Sequence, residues 1–505
     1  MTALEEIKRL SGKLAIGGEF RDSAASDYFD VIDPATEDVI GRIPDTTAAE
    51  VDEAIAVANR TQKAWNKVNA LTRAELMHQV ATNMRQSRGV VGEMLTREMG
   101  KPYKETTDEV DWSASAIDYY AEIARHDNGR VIGPAVDDQF HFVVKEPMGV
   151  VVIILPFNYP LCLFCWEAAA ALATGNAVIV KPSENTALST LKFMEAFAPL
   201  PDGLVQCLPG GAKVGSRLVE SSGTHMVAFT GGVPTGQIVA RACADQFKRC
   251  LIEASGNDPF LVMPSAPLDM AARGATFAAY LNCGQVCTSA ERFFVHTDIH
   301  DAFVEKMVAN ARALRIGNGL GKVDMGPMVT AKERERYEGV IRRAVEQGAK
   351  VACGGGRPAG FNKGWYVEAT VLTEVTPDME IMNAESFGPS APICRVSSLD
   401  EAIELANKSD YGLGSNIYTT DLNETMRAVN EIETGMVWVN APLLDNDAGP
   451  FGGRKMTGMG RQLGAEGLDT FRHTKFVMID PAAKAQDFWW FPYKDEEACP
   501  GNGGR

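Results

Sequence analysis

The chain has 505 residues, a formal net charge of −17 and an isoelectric point near 5.0. That acidic balance argues against nucleic acid or an anionic membrane as the main partner, since both reward basic patches. The length exceeds the roughly 250 to 300 residues at which a single core divides, so two or three domains around a small-molecule site are expected.

The ten cysteines are scattered, and Cys162 with Cys165 has no second pair or histidine cluster to complete a zinc site. Reduced thiols and a cytoplasmic setting are the expectation. Met1 to Leu14 carries charges in place of an apolar signal core, and no apolar run reaches the roughly 18 residues of a membrane span.

In chain order, Lys13 to Ile16, Tyr28 to Ile32 and Val39 to Ile43 read as short extended pieces of an edge hairpin. Helical periodicity follows over Thr47 to Val68, Leu71 to Gln86 and Tyr103 to Ala124. Asp137 to Lys145 alternates like a strand used for subunit pairing. From Val150 to Glu253 strands and helices alternate, which predicts a parallel sheet covered on both faces, with ligands at the carboxyl ends of its strands. A second α/β region runs from about Ser255 to Asn440, with strands at Pro259 to Met263, Arg292 to Val295 and Val351 to Cys353.

Several stretches carry chemistry. Asn158 ends an apolar strand, where an amide serves as a turn former or as a donor to a developing oxyanion. Lys181 and Glu184 follow the next strand, either as surface charges or as partners of an adenosine ribose, where the carboxylate would repel a 2′-phosphate. Phe229-Thr230-Gly231-Gly232-Val233-Pro234-Thr235-Gly236 is a strand, a glycine turn and a helix start, suited to a tight connection or to a pyrophosphate. Glu253 ends another apolar strand, where partial burial would raise its pKa toward that of a general base. Cys287 follows Gly284-Gln285-Val286, and the small residues after it predict a helix start whose dipole favours a thiolate. A free cysteine otherwise fills core space, the role assigned to Cys283.

Together with Glu385-Ser386-Phe387-Gly388-Pro389 and Pro450-Phe451-Gly452-Gly453-Arg454-Lys455, these motifs resemble the NAD(P)-dependent aldehyde dehydrogenase superfamily, in order and over nearly the whole chain. The resemblance implies an α/β fold with a Rossmann-type cofactor domain (1–125 and 148–254) and an α/β catalytic domain (255–456). It also implies a small β oligomerisation element with a C-terminal tail (126–147 and 472–492). Cys287 would attack the aldehyde, Asn158 would hold the oxyanion and Glu253 would activate the water that hydrolyses the thioester. Phe157, Lys181, Glu184, Gly231, Gly232, Gly236, Glu385 and Phe387 would bind NAD, or NADP. A homodimer or homotetramer is implied.

Against the common pattern, Gly232 stands for a frequent Ser, Ala254-Ser255 for Leu-Gly, and Glu167 and Gln462 for a Lys and a Glu. If Glu167 approaches Glu253, the like charge is expected to raise the pH at which the base ionises. The matching tunnel positions are Tyr159, Cys162, Leu163, Trp166, Leu281, Thr288, Asp445 and Phe451. Their aromatic and apolar character, with no arginine, points to a neutral aromatic or medium-chain aliphatic aldehyde. A betaine-aldehyde or aminoaldehyde cage built from Tyr159, Trp166, Phe451 and Asp445 is the alternative. A CoA-acylating enzyme and an inactive structural relative are disfavoured by the intact Cys287, Asn158 and Glu253. The aromatic run from Phe488 to Tyr493 is expected to be buried on its own subunit or a neighbour.

Overall fold

The computed structural model describes residues 1–486 and 490–492, in two compact units. The first comprises Met1–His126 with Pro147–Arg472, the second Asp127–Glu146 with the chain from His473 onward.

The first unit holds two large sheets, each inside its own apolar core. The run Val150–Ile154 is almost wholly buried because it is covered on both faces, the condition under which a strand reads as continuous apolar sequence. It pairs in parallel with Ala177–Lys181 on one side and Met226–Gly231 on the other. Val205–Cys207 extends the sheet beyond the former, and Arg249–Ala254 beyond the latter. The chain therefore winds outward from Val150–Ile154 first one way and then the other. The reversal lies between Val150–Ile154 and Met226–Gly231, where a doubly wound sheet opens its ligand crevice. Asn158 follows the first of these strands and Gly232 the second.

The hairpin Lys13–Ile16 with Glu19–Asp22 closes one edge of this sheet, while Tyr28–Ile32 and Val39–Pro44 form a separate two-stranded ladder. The helix expected to stop at Gln86 runs on over Ala70–Met99, its buried face continuing through Val91, Met94 and Leu95 until Gly100 ends it at φ 95°. Ser87-Arg88-Gly89 reads locally as a break, and tertiary packing overrides it. The second sheet is built on the parallel strands Asp258–Val262, Ala290–His296, Ser390–Val396 and Asn416–Tyr418. Among the described residues no helix is long and apolar enough to cross a membrane.

In the second unit Phe140–Pro147 is the central strand of three, between Gly129–Ile132 and Arg472–Ile479. Val131, Phe140, Phe476 and Met478 leave apolar surface exposed. Phe488, Trp489 and Tyr493 lie outside the described residues. Trp490 and Phe491 are exposed in the single chain. The Trp490 N–H donates to the Gln486 carbonyl at 3.0 Å.

Candidate active site

The loop that carries Cys287 is held in a conformation few sequences tolerate. After the helix Leu268–Tyr280, Asn282, Cys283 and Gly284 have φ of 50°, 57° and 70°. Three successive residues in the left-handed region persist only where neighbours impose it. The Asn282 amide donates to the carbonyls of Gln285 at 3.1 Å and Asn158 at 3.3 Å. The Gln285 amide donates back to the Asn282 carbonyl at 3.1 Å, and its oxygen accepts from the Val329 N–H at 3.1 Å. A Cβ on Gly284 would stand 2.3 Å from the Gly388 carbonyl, so only glycine fits there. Cys283 is buried with its sulfur 3.7 Å from that of Met328, a packing role as expected.

Cys287 does not open a helix. It lies in a turn closed by the Ser289 N–H on the Val286 carbonyl at 3.0 Å, and the chain passes directly into the strand Ala290–His296. The expected dipole assistance is absent because the small residues Thr288, Ser289 and Ala290 feed a buried strand. Although the residue keeps some exposure, loss of water around the sulfur and then the charges of Glu253 and Asp258 push the thiol well above its ordinary range.

Glu253 ends the strand Arg249–Ala254 and is 3% exposed. Burial pushes its carboxyl up to about 7, and the facing Cys287 thiol draws it partly back. Among the described residues neither oxygen has a nitrogen or oxygen donor. Such a carboxyl titrates where a general base works. Asn158 is equally buried, and its side-chain oxygen has no partner. Gly256 permits the close approach of the loops, since a Cβ there would lie 2.1 Å from the Cys287 carbonyl.

The residues assigned to a dinucleotide gather around the sheet's reversal point. Gly231 ends its strand and Gly232 caps the helix Val233–Ala244, which has Pro234 in its first turn. Gly236 lets that helix close on the sheet: a Cβ would meet Ile252 at 3.1 Å and Ala254 at 3.4 Å. At Gly232 a Cβ would meet nothing nearer than Pro234 at 3.9 Å, so this helix start is open to a pyrophosphate and a serine would also fit. Lys181 and Glu184 meet at 3.2 Å past the next strand. Phe157 and Phe387 pack edge to face with centroids 5.9 Å apart. Glu385 accepts the Gly256 N–H at 3.0 Å, and desolvation with the charge of Glu291 pushes it up to about 8. These groups fit a dinucleotide lying across the strand ends.

Glu291, which sequence reading missed, organises this wall. It accepts from the N–H groups of Ser386 and Phe387, both at 2.8 Å, and from Ser386 Oγ at 3.0 Å. Lys101 and Glu109 were missed too; both are fully buried, and Lys101 donates to the Asn158 carbonyl at 2.7 Å. The signal was an acid on an apolar helical stripe, since Thr106, Val110, Ser113 and Ile117 surround Glu109 on the buried face of Tyr103–His126.

On the substrate side, Tyr159, Cys162, Leu163 and Trp166 follow one another at helical spacing at the start of Pro160–Ala173. Trp166 packs on Phe451 with centroids 4.8 Å apart. Thr288 is buried next to Cys287. Asp445 and Leu444 are exposed on the loop before Phe451, with the Asp445 charge felt at Cys162. Leu281 lines a depression of about 520 Å³ with Trp112, Phe277 and Tyr280.

The model of the Aldehyde dehydrogenase family matches residues 20–477. The chain belongs to this family. It is 36% identical over 483 residues to a 3-sulfolactaldehyde dehydrogenase of Pseudomonas putida, covering 95% of this chain and 99% of that one. It is 35% identical over 471 residues to a betaine aldehyde dehydrogenase of Brucella canis, covering 92% and 96%. The crystal structure of a betaine aldehyde dehydrogenase from Staphylococcus aureus in complex with NAD+ superposes with a TM-score of 0.93 at 30% identity, over 96% of this chain and 98% of that one. A 3,6-anhydro-L-galactose dehydrogenase gives 0.90 at 35% identity, over 93% and 100%. This aldehyde dehydrogenase thus has the α/β fold its motifs implied. None of these relatives is named for an aromatic or medium-chain aliphatic aldehyde, the substrate expected from the tunnel.

Proposed function

We propose that this aldehyde dehydrogenase oxidises a cationic aldehyde, of the betaine-aldehyde or aminoaldehyde class, to its carboxylic acid with NAD+ and water. The observation that carries the reaction type is the half-buried Cys287 thiol facing the buried carboxyl of Glu253, whose oxygens have no other donor among the described residues.

The Cys287 thiol gives up its proton to solvent water, and the sulfur attacks the carbonyl carbon. The resulting oxyanion is stabilised by the Asn158 amide and the Cys287 N–H, donors placed where charge develops. NAD+, when bound, supplies the hydride acceptor that carries the adduct to the thioester. Phe157, Phe387 and Glu385 hold its nicotinamide end, Gly231, Gly232 and Gly236 its pyrophosphate, and Lys181 with Glu184 its adenosine ribose. Glu253 then takes a proton from water, which attacks the thioester carbon and releases the acid from sulfur. A water-activating base supports hydrolysis over acyl transfer to CoA.

The charge class of the substrate rests on three supports. Trp166 and Phe451, packed at a tilt of 54°, offer π faces to a quaternary ammonium. The loop before them carries two acids, Asp445 and Asp447. A curated relative and a solved neighbour are named for betaine aldehyde. An NADH-formation screen without CoA tests this, using betaine aldehyde, an ω-aminoaldehyde, hexanal, benzaldehyde and sulfolactaldehyde. The cationic aldehydes are expected to give the highest kcat/KM; a preference for the sulfonate or the neutral aldehydes would reverse the assignment.

The exposed apolar sheet of the second unit supports a homodimer or homotetramer built through it. The cofactor and catalytic domains are placed at 1–125 with 148–254 and at 255–456, one around each large sheet. The nine free cysteines among the described residues support a reducing, cytoplasmic setting.

A further inference from the structure

Asn158 stands three residues beyond the last ladder bond of its strand, the Leu155 N–H on the Lys181 carbonyl at 3.1 Å. The helix that follows, Pro160–Ala173, begins without help from its own sequence: Tyr159 at the N-cap makes no capping bond, and Pro160 has no N–H. Both gaps are filled from outside by one ion pair. Glu109 Oε1 accepts the N–H groups of Leu161 at 2.8 Å and Cys162 at 3.2 Å. Its other oxygen pairs with Lys101 Nζ, which donates to the Asn158 carbonyl at 2.7 Å and lies 3.9 Å from the centre of the Tyr159 ring.

We infer that Lys101 and Glu109 are positioning residues that set the Asn158 amide for the oxyanion and fix Tyr159 in the tunnel wall. The inference rests on the reading of Asn158 as oxyanion donor. Both side chains are fully buried, and an ion pair in such a place loses its hydration without a large net gain in stability. A core that only needed filling would be as stable with apolar residues of the same volume. What the pair supplies is four fixed contacts on the turn from Asn158 to Cys162, each charge-assisted or electrostatic. Oxyanion donors tolerate little error, and a displacement of about 1 Å costs roughly 100-fold in rate.

The test is a cycle of variants in the full-length enzyme, assayed with betaine aldehyde and with propionaldehyde. K101M/E109L replaces the pair by apolar side chains of similar size, and E109Q, which keeps the shape of the acid, serves if the double variant does not fold. N158A removes the oxyanion donor itself, with an expected loss of roughly 100- to 1,000-fold in kcat. K101M/E109L is expected to keep its thermal transition and its NAD+ Kd, to lose at least tenfold in kcat with KM little changed, and to cost nothing further when introduced into N158A. A kcat within twofold of wild type, or losses that multiply in the combined variant, would overturn the positioning role. Should N158A alone leave kcat intact, the oxyanion reading falls and takes the inference with it.

Discussion

The Gln462 amide donates to Glu167 Oε1 at 2.6 Å inside the first unit, and the other Glu167 oxygen has no partner among the described residues. One residue earlier, Trp166 packs at a tilt on Phe451, and Phe451 exchanges backbone hydrogen bonds with Gln462 at 2.7 and 2.8 Å. Tunnel wall and buried acid are thus two rungs of one contact. Burial chiefly, and then the charge of Glu253, push Glu167 up to about 8, with the Gln462 bond drawing it down. Glu253 itself stands at about 7, through burial. Glu253 is the lower of the two, and its rise has burial as its cause with no part from Glu167, so the expected neighbouring anion is not what raises it.

From that order follows the behaviour of Glu167→Gln. The acid limb of single-turnover thioester hydrolysis stays near pH 7. What changes lies above pH 8, where wild-type Glu167 ionises and places a second negative charge beside Glu253 and the oxyanion. Acylation is expected to climb less steeply with pH there in wild type than in the variant. An acid limb displaced by half a unit or more would show that the first proton comes off Glu167.

The reactivity of Cys287 has a defined sign. With its thiol held high by lost hydration and by Glu253 and Asp258, the free enzyme should react slowly with iodoacetamide at pH 7, and the rate should still be climbing at pH 9. Glu253→Gln removes one opposing charge and is expected to speed alkylation at pH 8 several-fold. Slower alkylation would mean that Glu253 takes the proton from the thiol.

Lys181 and Glu184 sit 3.2 Å apart with the carboxylate side chain 37% exposed, so the acid is free to meet a ribose and to repel a 2′-phosphate. Glu184→Ser is expected to raise the NADP/NAD ratio of kcat/KM at least tenfold by leaving Lys181 to pair with the phosphate. A ratio that is unchanged or lower would remove Glu184 from cofactor choice.

For the substrate, Asp445→Asn should raise KM for betaine aldehyde several-fold and leave KM for hexanal unchanged, since only the cation feels the lost charge. Equal effects on the two aldehydes would point to a purely steric role for the loop.

The parallel sheet was legible because Val150–Ile154 and Arg249–Ala254 are short apolar runs that end in polar residues with a job to do. The motifs at Asn158, Gly231, Glu253, Cys287 and Phe387 were legible for the same reason. The setting of the cysteine was not. Thr288 to Ala290 suits a helix start and a strand entry equally, and only the left-handed turn at Asn282 and Cys283 decides between them. Glu109 showed only its place on a buried helical face, and Lys101 and Glu291 were hidden, because a charged residue gives no sign in sequence of the backbone groups it is buried against. The order of ionisation of Glu253 and Glu167 depends on their burial, which the fold alone supplies.

The central claim, that Cys287 forms the thioester and Glu253 hydrolyses it, is tested most directly by rapid mixing of Glu253→Gln with NAD+ and betaine aldehyde. The expected result is a burst of NADH equal to the enzyme concentration followed by a much slower steady state, with the acyl group found on the peptide bearing Cys287 after acid quench. No burst, an unchanged steady-state rate, or an adduct on Cys283 would contradict the account.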